Sequence, residues 1–172
     1  MRYYSILFSS SKTFGVARFN TEELLFLPAD GPVVGWQPLT GTLGRGEESD
    51  YLASNLAFRI CSARMRAILE ELATPADVLQ WLPVHVANSR AELREYHVLH
   101  FPAPPDVIDR DRSIIMDDDV IVKVLLCAES AARHAVFSYP GGGSTTFLVN
   151  GEVKKRLQKA GCTGIQFFPE PR

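Results

Sequence analysis

Ala57-Phe58-Arg59-Ile60-Cys61-Ser62-Ala63-Arg64-Met65-Arg66-Ala67-Ile68-Leu69, followed past Pro75 by Val78-Leu79-Gln80-Trp81-Leu82-Pro83, decides the fold because the chain repeats it in altered form. The second version is Thr146-Phe147-Leu148-Val149-Asn150-Gly151-Glu152-Val153-Lys154-Lys155-Arg156-Leu157, followed by Gly164-Ile165-Gln166-Phe167-Phe168-Pro169. Each reads as a short apolar strand, an amphipathic helix and a strand ending in Gln-aromatic-apolar-Pro. In the first version Ser62 is placed to cap the helix, its hydroxyl accepting from a free first-turn amide. Met65, Ile68, Leu69 and Leu72 fall at i, i+3, i+4 and i+7, a single apolar stripe. Pro75 lacks an amide proton and stops the helix. In the second version Asn150 is the cap, Val153, Leu157 and Ala160 form the stripe, and Gly161 ends it, because glycine enters the left-handed region cheaply. Pro83 within the strand at 79–86 predicts an edge or an interruption there.

Outward from the repeats, Tyr4, Ile6 and Phe8 share one face of a half-buried strand over 2–9. Residues 14–19 are expected to return as its hairpin partner. Residues 28–50, centred on Gly41-Thr42-Leu43-Gly44-Arg45-Gly46, read as an irregular surface loop. Strands are expected at 96–101, 120–126, 135–139 and 165–168, with 120–126 the most apolar and therefore central. The fold class is α+β: a mostly antiparallel or mixed sheet with two short amphipathic helices from the repeated strand–helix–strand unit. Such crossovers are the means by which parallel strand pairs arise. A single domain over 1–172 is expected, with a hairpin and long loop over 1–53 and the two units within 54–172.

A chain of 172 residues fits one domain, large enough to hold a core without a metal or disulfide staple. Its net charge of −2 lacks the basic excess of a dedicated nucleic-acid binder, so no nucleic-acid partner is expected. Cys61, Cys127 and Cys162 have neither zinc-finger nor redox spacing and read as free thiols of a reducing cytoplasm. The N-terminus does not read as a signal peptide. No apolar run approaches the roughly 20 residues of a membrane helix, so no membrane association is expected.

Candidate chemistry is sparse. Asp117-Asp118-Asp119 is a poor metal site, since neighbouring carboxylates diverge and calcium wants six to eight oxygens from a shaped loop. His97 and His100, three apart in a strand, take opposite faces, and His85 and His134 are isolated. Gly141-Gly142-Gly143-Ser144 lacks the Lys of a phosphate-binding loop, and no Gly-x-Ser-x-Gly elbow is present. Of two cysteines near strand ends, Cys61 is the better nucleophile candidate and Cys127 the poorer. Lys154, Lys155, Arg156 and Lys159 form the wet face of the second helix. No catalytic, cofactor-binding or metal-ligating residue is assigned, and no cofactor is expected.

The second version, with its Ala160-Gly161-Cys162-Thr163-Gly164-Ile165-Gln166-Phe167 ending, resembles the C-terminus of a bacterial immunity-protein family of polymorphic toxin systems, once catalogued as a domain of unknown function. The first version is similar to that family's mid-region, which ends in a Glu-Phe-Leu-Pro strand where this chain has Gln80-Trp81-Leu82-Pro83. The likeness covers about residues 54–169. It implies a cytoplasmic, non-enzymatic protein that binds a cognate toxin domain and neutralises it through a stoichiometric interface. Acidic residues Glu47, Glu48, Asp50, Asp117, Asp118 and Asp119 are the candidate interface, because such clusters speed association with a basic partner.

Two further readings stand beside this one. The chain would be a small-ligand enzyme if Cys61 or a histidine met converging polar groups in a concave pocket. It would be an adaptor or structural module of a secretion or phage-like assembly if it formed a homodimer through an edge at 79–86.

Overall fold

A computed structural model describes residues 1–20, 26–116, 121–142 and 145–171. In chain order the elements are β1 (Tyr3–Phe8), β2 (Ala17–Phe19), β3 (Leu39–Leu43), β4 (Tyr51–Leu52), β5 (Ile60–Ser62), α1 (Ala63–Leu72), β6 (Gln80–Ala87) and β7 (Leu93–His100). They continue with β8 (Ile114–Ile115), β9 (Ile121–Lys123), α2 (Ala128–Ala131), β10 (Val136–Phe137), β11 (Phe147–Asn150), α3 (Gly151–Lys159) and β12 (Ile165–Pro169). The class is α+β, as the repeats imply.

Both repeats form as helix-linked strand pairs. Ser62 caps α1, accepting from the Met65 amide at 3.1 Å, and Met65, Ile68 and Leu69 are buried. Asn150 caps α3, its Oδ1 accepting from the Glu152 and Val153 amides at 3.0 Å each, and Val153 and Leu157 are buried. Gly161 follows α3 at φ +67°.

The two strands of each unit do not pair with each other. β5 and β6 both run antiparallel to β7, which lies between them in a six-stranded sheet of order β2-β3-β6-β7-β5-β4. β11 and β12 both run antiparallel to β1, which lies between them in a four-stranded sheet of order β10-β11-β1-β12. Each unit is therefore a split crossover whose parallel strands are separated by a third strand. In the first unit that strand follows directly as a hairpin; in the second it comes from the other end of the chain. α1 and α3 pack together, and their apolar stripes share one core with Ile6, Leu99, Phe101, Phe147 and Val149. A second cluster, including Phe19, Phe58, Ile60, Val84, Val86 and Val98, fills the other side of the larger sheet.

Several expectations are corrected. The hairpin between 2–9 and 14–19 does not form: β1 pairs with β11 and β12, while β2 pairs with β3. The stretch 28–50 is not wholly irregular, since β3 lies parallel to β6 from Leu39↔Val84 to Thr42↔Ala87. Gly41 makes this possible, because a Cβ there would stand 2.9 Å from the Arg18 carbonyl oxygen and the Phe19 ring. The strand at 79–86 is no edge from Val84 onward, as β6 there sits between β3 and β7.

Pro83 is tolerated inside this sheet for a local reason. The N and O of one strand residue point the same way, and the Pro83 oxygen accepts from Trp36 Nε1 at 2.9 Å, on the flank beside β3. Pairing with β3 begins one residue later, at Val84, so the missing N–H falls where no ladder partner waits. Gln80, the glutamine of the repeat ending, holds the preceding loop: its Oε1 accepts from Val33 N at 2.8 Å and its Nε2 donates to Val33 O at 2.9 Å.

The run 120–126 is not a central strand. Among the described residues β9 pairs only with β8, and Val122 is exposed while Leu125 is buried. No helix among the described residues is long and apolar enough to cross a membrane.

Candidate functional site

The acidic residues singled out from sequence have different fates. Asp50 is buried at the junction of the two units. Its Oδ1 accepts from Ser62 Oγ at 2.6 Å and Arg64 Nε at 3.1 Å; its Oδ2 accepts from Arg64 Nη2 at 2.5 Å and Thr163 N at 2.8 Å. Arg64 also donates to the carbonyls of Ala160 and Gly161, each at 3.3 Å. One carboxylate thus joins the start of α1 to the turn after α3. Gly164 lets these segments approach: it sits at φ +77°, and a Cβ would lie 2.5 Å from the Tyr51 oxygen. Asp50 is withdrawn from the candidate interface, because its lone pairs are consumed internally.

Burial alone would raise the Asp50 carboxyl, but hydrogen bonds from Arg64, Ser62 and Thr163 outweigh it and hold the group below its ordinary 3.8. A carboxyl lowered by folding gives stability that is complete above 3.8 and is lost as pH falls through the folded value. The urea midpoint should therefore fall between pH 6 and pH 3 by more in the wild type than in Asp50→Asn. Equal falls would show that Asp50 carries none of the acid sensitivity.

Glu47 and Glu48 are exposed. The Glu47 backbone is fixed by Thr13 O and Gly15 N at 2.7 and 2.9 Å. Glu48 Oε1 accepts from Arg94 Nε at 3.2 Å and Asn88 Nδ2 at 3.1 Å, and Arg94 also holds Glu92 at 2.6 Å. These are surface pairs of small energetic weight, which remain open to rearrangement by a partner. Asp117, Asp118 and Asp119 lie outside the described residues, as do Gly143 and Ser144.

The reactive side chains do not converge. The structure reverses the order expected for Cys61 and Cys127. Cys61 is fully buried, and burial pushes its thiol far up. Burial also raises Cys162. Hydrogen bonds from Ser130 lower Cys127, which precedes the four-residue helix α2. His97 is buried with Nε2 3.2 Å from Glu95, and burial followed by nearby Arg66 lowers its pKa. His100 Nε2 meets Gly31 O at 2.8 Å. His134 Nδ1 meets Asp77 at 2.9 Å. Among the described residues no three His, Cys, Asp or Glu side chains are grouped to hold a metal.

Asp77 is a second buried polar junction. Its side chain is 0% exposed. Besides His134 it accepts from the amides of Thr74, Ala135 and Val136 at 2.8, 3.0 and 3.1 Å. It fastens the turn after α1 to the entry of β10.

A cleft of about 210 Å³ opens between Phe26, Pro28, Tyr139 and Gly142, with buried Arg59, His100 and Ser138 in its lining. Arg59 Nε donates to Thr146 O at 2.8 Å and Nη2 to Ser138 Oγ at 3.3 Å, with the guanidinium over the Phe101 ring. These bonds tie β5 to the segment around β11.

What is left for an encounter with another molecule is exposed surface. Sequence patterning does not pick out the exposure of Ile114, Met116 and Val122 on and beside β8 and β9, which are 54%, 60% and 60% exposed. The signal available was a strand-like apolar run bordered by three aspartates, which reads equally well as a buried strand.

A family model described as Immunity protein family (Imm11) matches residues 38–169. No curated protein matches the chain.

Proposed function

Because this chain belongs to the Imm11 immunity protein family, we propose that it neutralises a cognate bacterial toxin domain by binding it in a stoichiometric complex in the cytoplasm. The family match carries this reading, since it takes in β3 through β12 and all three helices. The internal chemistry supports it. Asp50 and Asp77 hold segments together, and the Arg59 contacts described above do the same. Cys61, the thiol on which an enzymatic reading leaned, is sealed in the core.

Such a protein acts by presenting a preorganised surface, which reduces the ordering cost of association. Glu47 and Glu48, together with Asp117, Asp118 and Asp119, provide negative charge that steers a basic partner and speeds encounter more than it deepens affinity.

The test is co-expression with the C-terminal domain of each large protein encoded immediately upstream. Survival of the host and a 1:1 complex by light scattering are expected with one of them. Undiminished killing by every neighbouring domain would reject the function.

A further inference from the structure

Four strands end the two larger sheets: β2 and β4 in one, β10 and β12 in the other. Along an antiparallel pair, alternate residues turn their backbone groups to the neighbouring strand and those between turn theirs away. Outward groups left bare are a template for pairing with another chain.

On three of the four edges the outward amides are taken from within. Ala17 N donates to Ala53 O at 2.8 Å, and Phe19 N donates to Asn55 Oδ1 at 2.8 Å. Asn55 also serves the outward carbonyls of β2, its N donating to Ala17 O and its Nδ2 to Phe19 O. On β4, Tyr51 N donates to Thr163 O at 3.1 Å, and Tyr51 O accepts from Ser49 Oγ at 3.1 Å. On β10, Val136 N donates to Asp77 at 3.1 Å.

β12 differs. Ser9 N donates to Gly164 O at 2.9 Å, and Glu170 N donates to Tyr3 O at 3.0 Å. These bonds fix the phase of the β1–β12 ladder. Gln166 and Phe168 turn their backbone groups to β1, while Ile165, Phe167 and Pro169 turn theirs outward. Among the described residues no hydrogen bond reaches those outward groups. The amides of Ile165 and Phe167 and the carbonyls of all three therefore stand in a row with no partner in the fold.

The neighbouring side chains decide what kind of strand fits. Ile165 and Phe167 are half-buried against the core that α3 shares. Lys154 of α3 leans over this side, its Nζ 3.8 Å from the Tyr4 ring centroid and 5.6 Å from that of Phe167. Among the described residues it has no carboxylate partner. On the opposite face of β12, Phe168 is 50% exposed. Side chains directly across a strand pair interact on the face they share. A residue opposite Phe167 is thus placed to offer Lys154 a carboxylate, and its two sequence neighbours fall on the face of Phe168. A second copy is a poorer occupant. Paired antiparallel about Phe167, it would set its own Lys154 beside this one, and like charges so placed oppose pairing.

We infer that the toxin docks by adding an extended segment to the free edge of β12, with a carboxylate facing Lys154 and apolar side chains beside Phe168. Main-chain bonds to Ile165, Phe167 and Pro169 hold the segment, and the side chains select it. The inference rests on the function proposed above.

The experiment follows amide hydrogen exchange by NMR in the full chain, alone and saturated with the neighbouring toxin domain. Alone, Ile165 and Phe167 should exchange fast, while Gln166 and Phe168, bonded to β1, exchange slowly. In the complex Ile165 and Phe167 should slow by about 100-fold or more. Lys154→Gln should weaken the complex about tenfold through loss of a charge-assisted contact. Lys155→Gln, exposed on the same helix, should change affinity by less than about twofold. If the toxin binds and both amides exchange as in the free chain, the edge assignment falls while the function stands. Slow exchange of both in the free monomer would show an edge already closed and overturn it. A dimer of the chain alone with both amides protected would make β12 a self-interface, with the same consequence. Unchanged affinity in Lys154→Gln would overturn the carboxylate on the partner. If no neighbouring toxin is bound, function and assignment fall together.

Discussion

A chain lacking residues 1–9 will show no cooperative urea transition. β1 is the middle strand of its sheet, with four residue pairs to β11 and five to β12. It also delivers Ile6, which is fully buried in the core beneath both helices. Without it two strands face each other across a gap with their backbone groups unpaired. Each buried orphan costs about 1–3 kcal/mol, so several exceed the roughly 5–15 kcal/mol that holds a domain of this kind together. The family match begins at residue 38, so the region it covers lacks the strand that completes its second unit. Two additions make this decisive. A synthetic peptide of residues 1–12 should restore structure to the truncated chain by circular dichroism. A permutant that starts at Thr13 and carries residues 1–12 behind the C-terminus on a short Gly-Ser linker should fold within about 2 kcal/mol of the wild type, since lengthening a connection costs little. Tyr4 already lies opposite Pro169, so the permutant turns β12 and β1 into a hairpin like that of β6 and β7. A truncated chain with a wild-type urea transition would refute the placement of β1.

Asp77→Ala should cost about 4 kcal/mol, read as a fall in the urea midpoint at constant slope. Three backbone amides, of Thr74, Ala135 and Val136, lose their acceptor at a side chain with no exposure, and His134 loses its carboxylate. Truncating one member of such a group is costly because the donors stay behind without water. Asp77→Asn keeps one acceptor oxygen and places an NH2 against the remaining donors, so it should lie between the wild type and alanine. A loss under 1 kcal/mol for alanine would mean that the amides find other acceptors and that the junction is dispensable.

The helices and their caps were legible because their signals are local. Ser62, Asn150, Gly161 and the buried stripes of α1 and α3 depend on residues three or four apart. The repeat was legible for the same reason, and with it the fold class and the family. Pairing was not. Nothing within residues 2–9 indicates that their partners lie about 140 to 165 positions away, and a hairpin with 14–19 is the shorter and more usual connection. β3 escaped notice because Gly41 and the threonines around it read as turn residues, whereas Gly41 is there for the approach of Phe19. Apolar composition alone also misplaced 120–126, since exposure is decided by what packs on a strand. The candidate surface was half legible: charge at Glu47 and Glu48 is visible in the letters, but the burial of Asp50 exists only once distant segments meet.

The origin of the strand between β11 and β12 has a further consequence in time. β1 is made well before both of its neighbours, so during synthesis it waits for about 160 further residues before β12 follows, roughly ten to thirty seconds at usual elongation rates. The first unit, whose strands are contiguous, is free to assemble on the ribosome. The second can close only after β12 has emerged, so its sheet is completed in a single late step rather than by degrees.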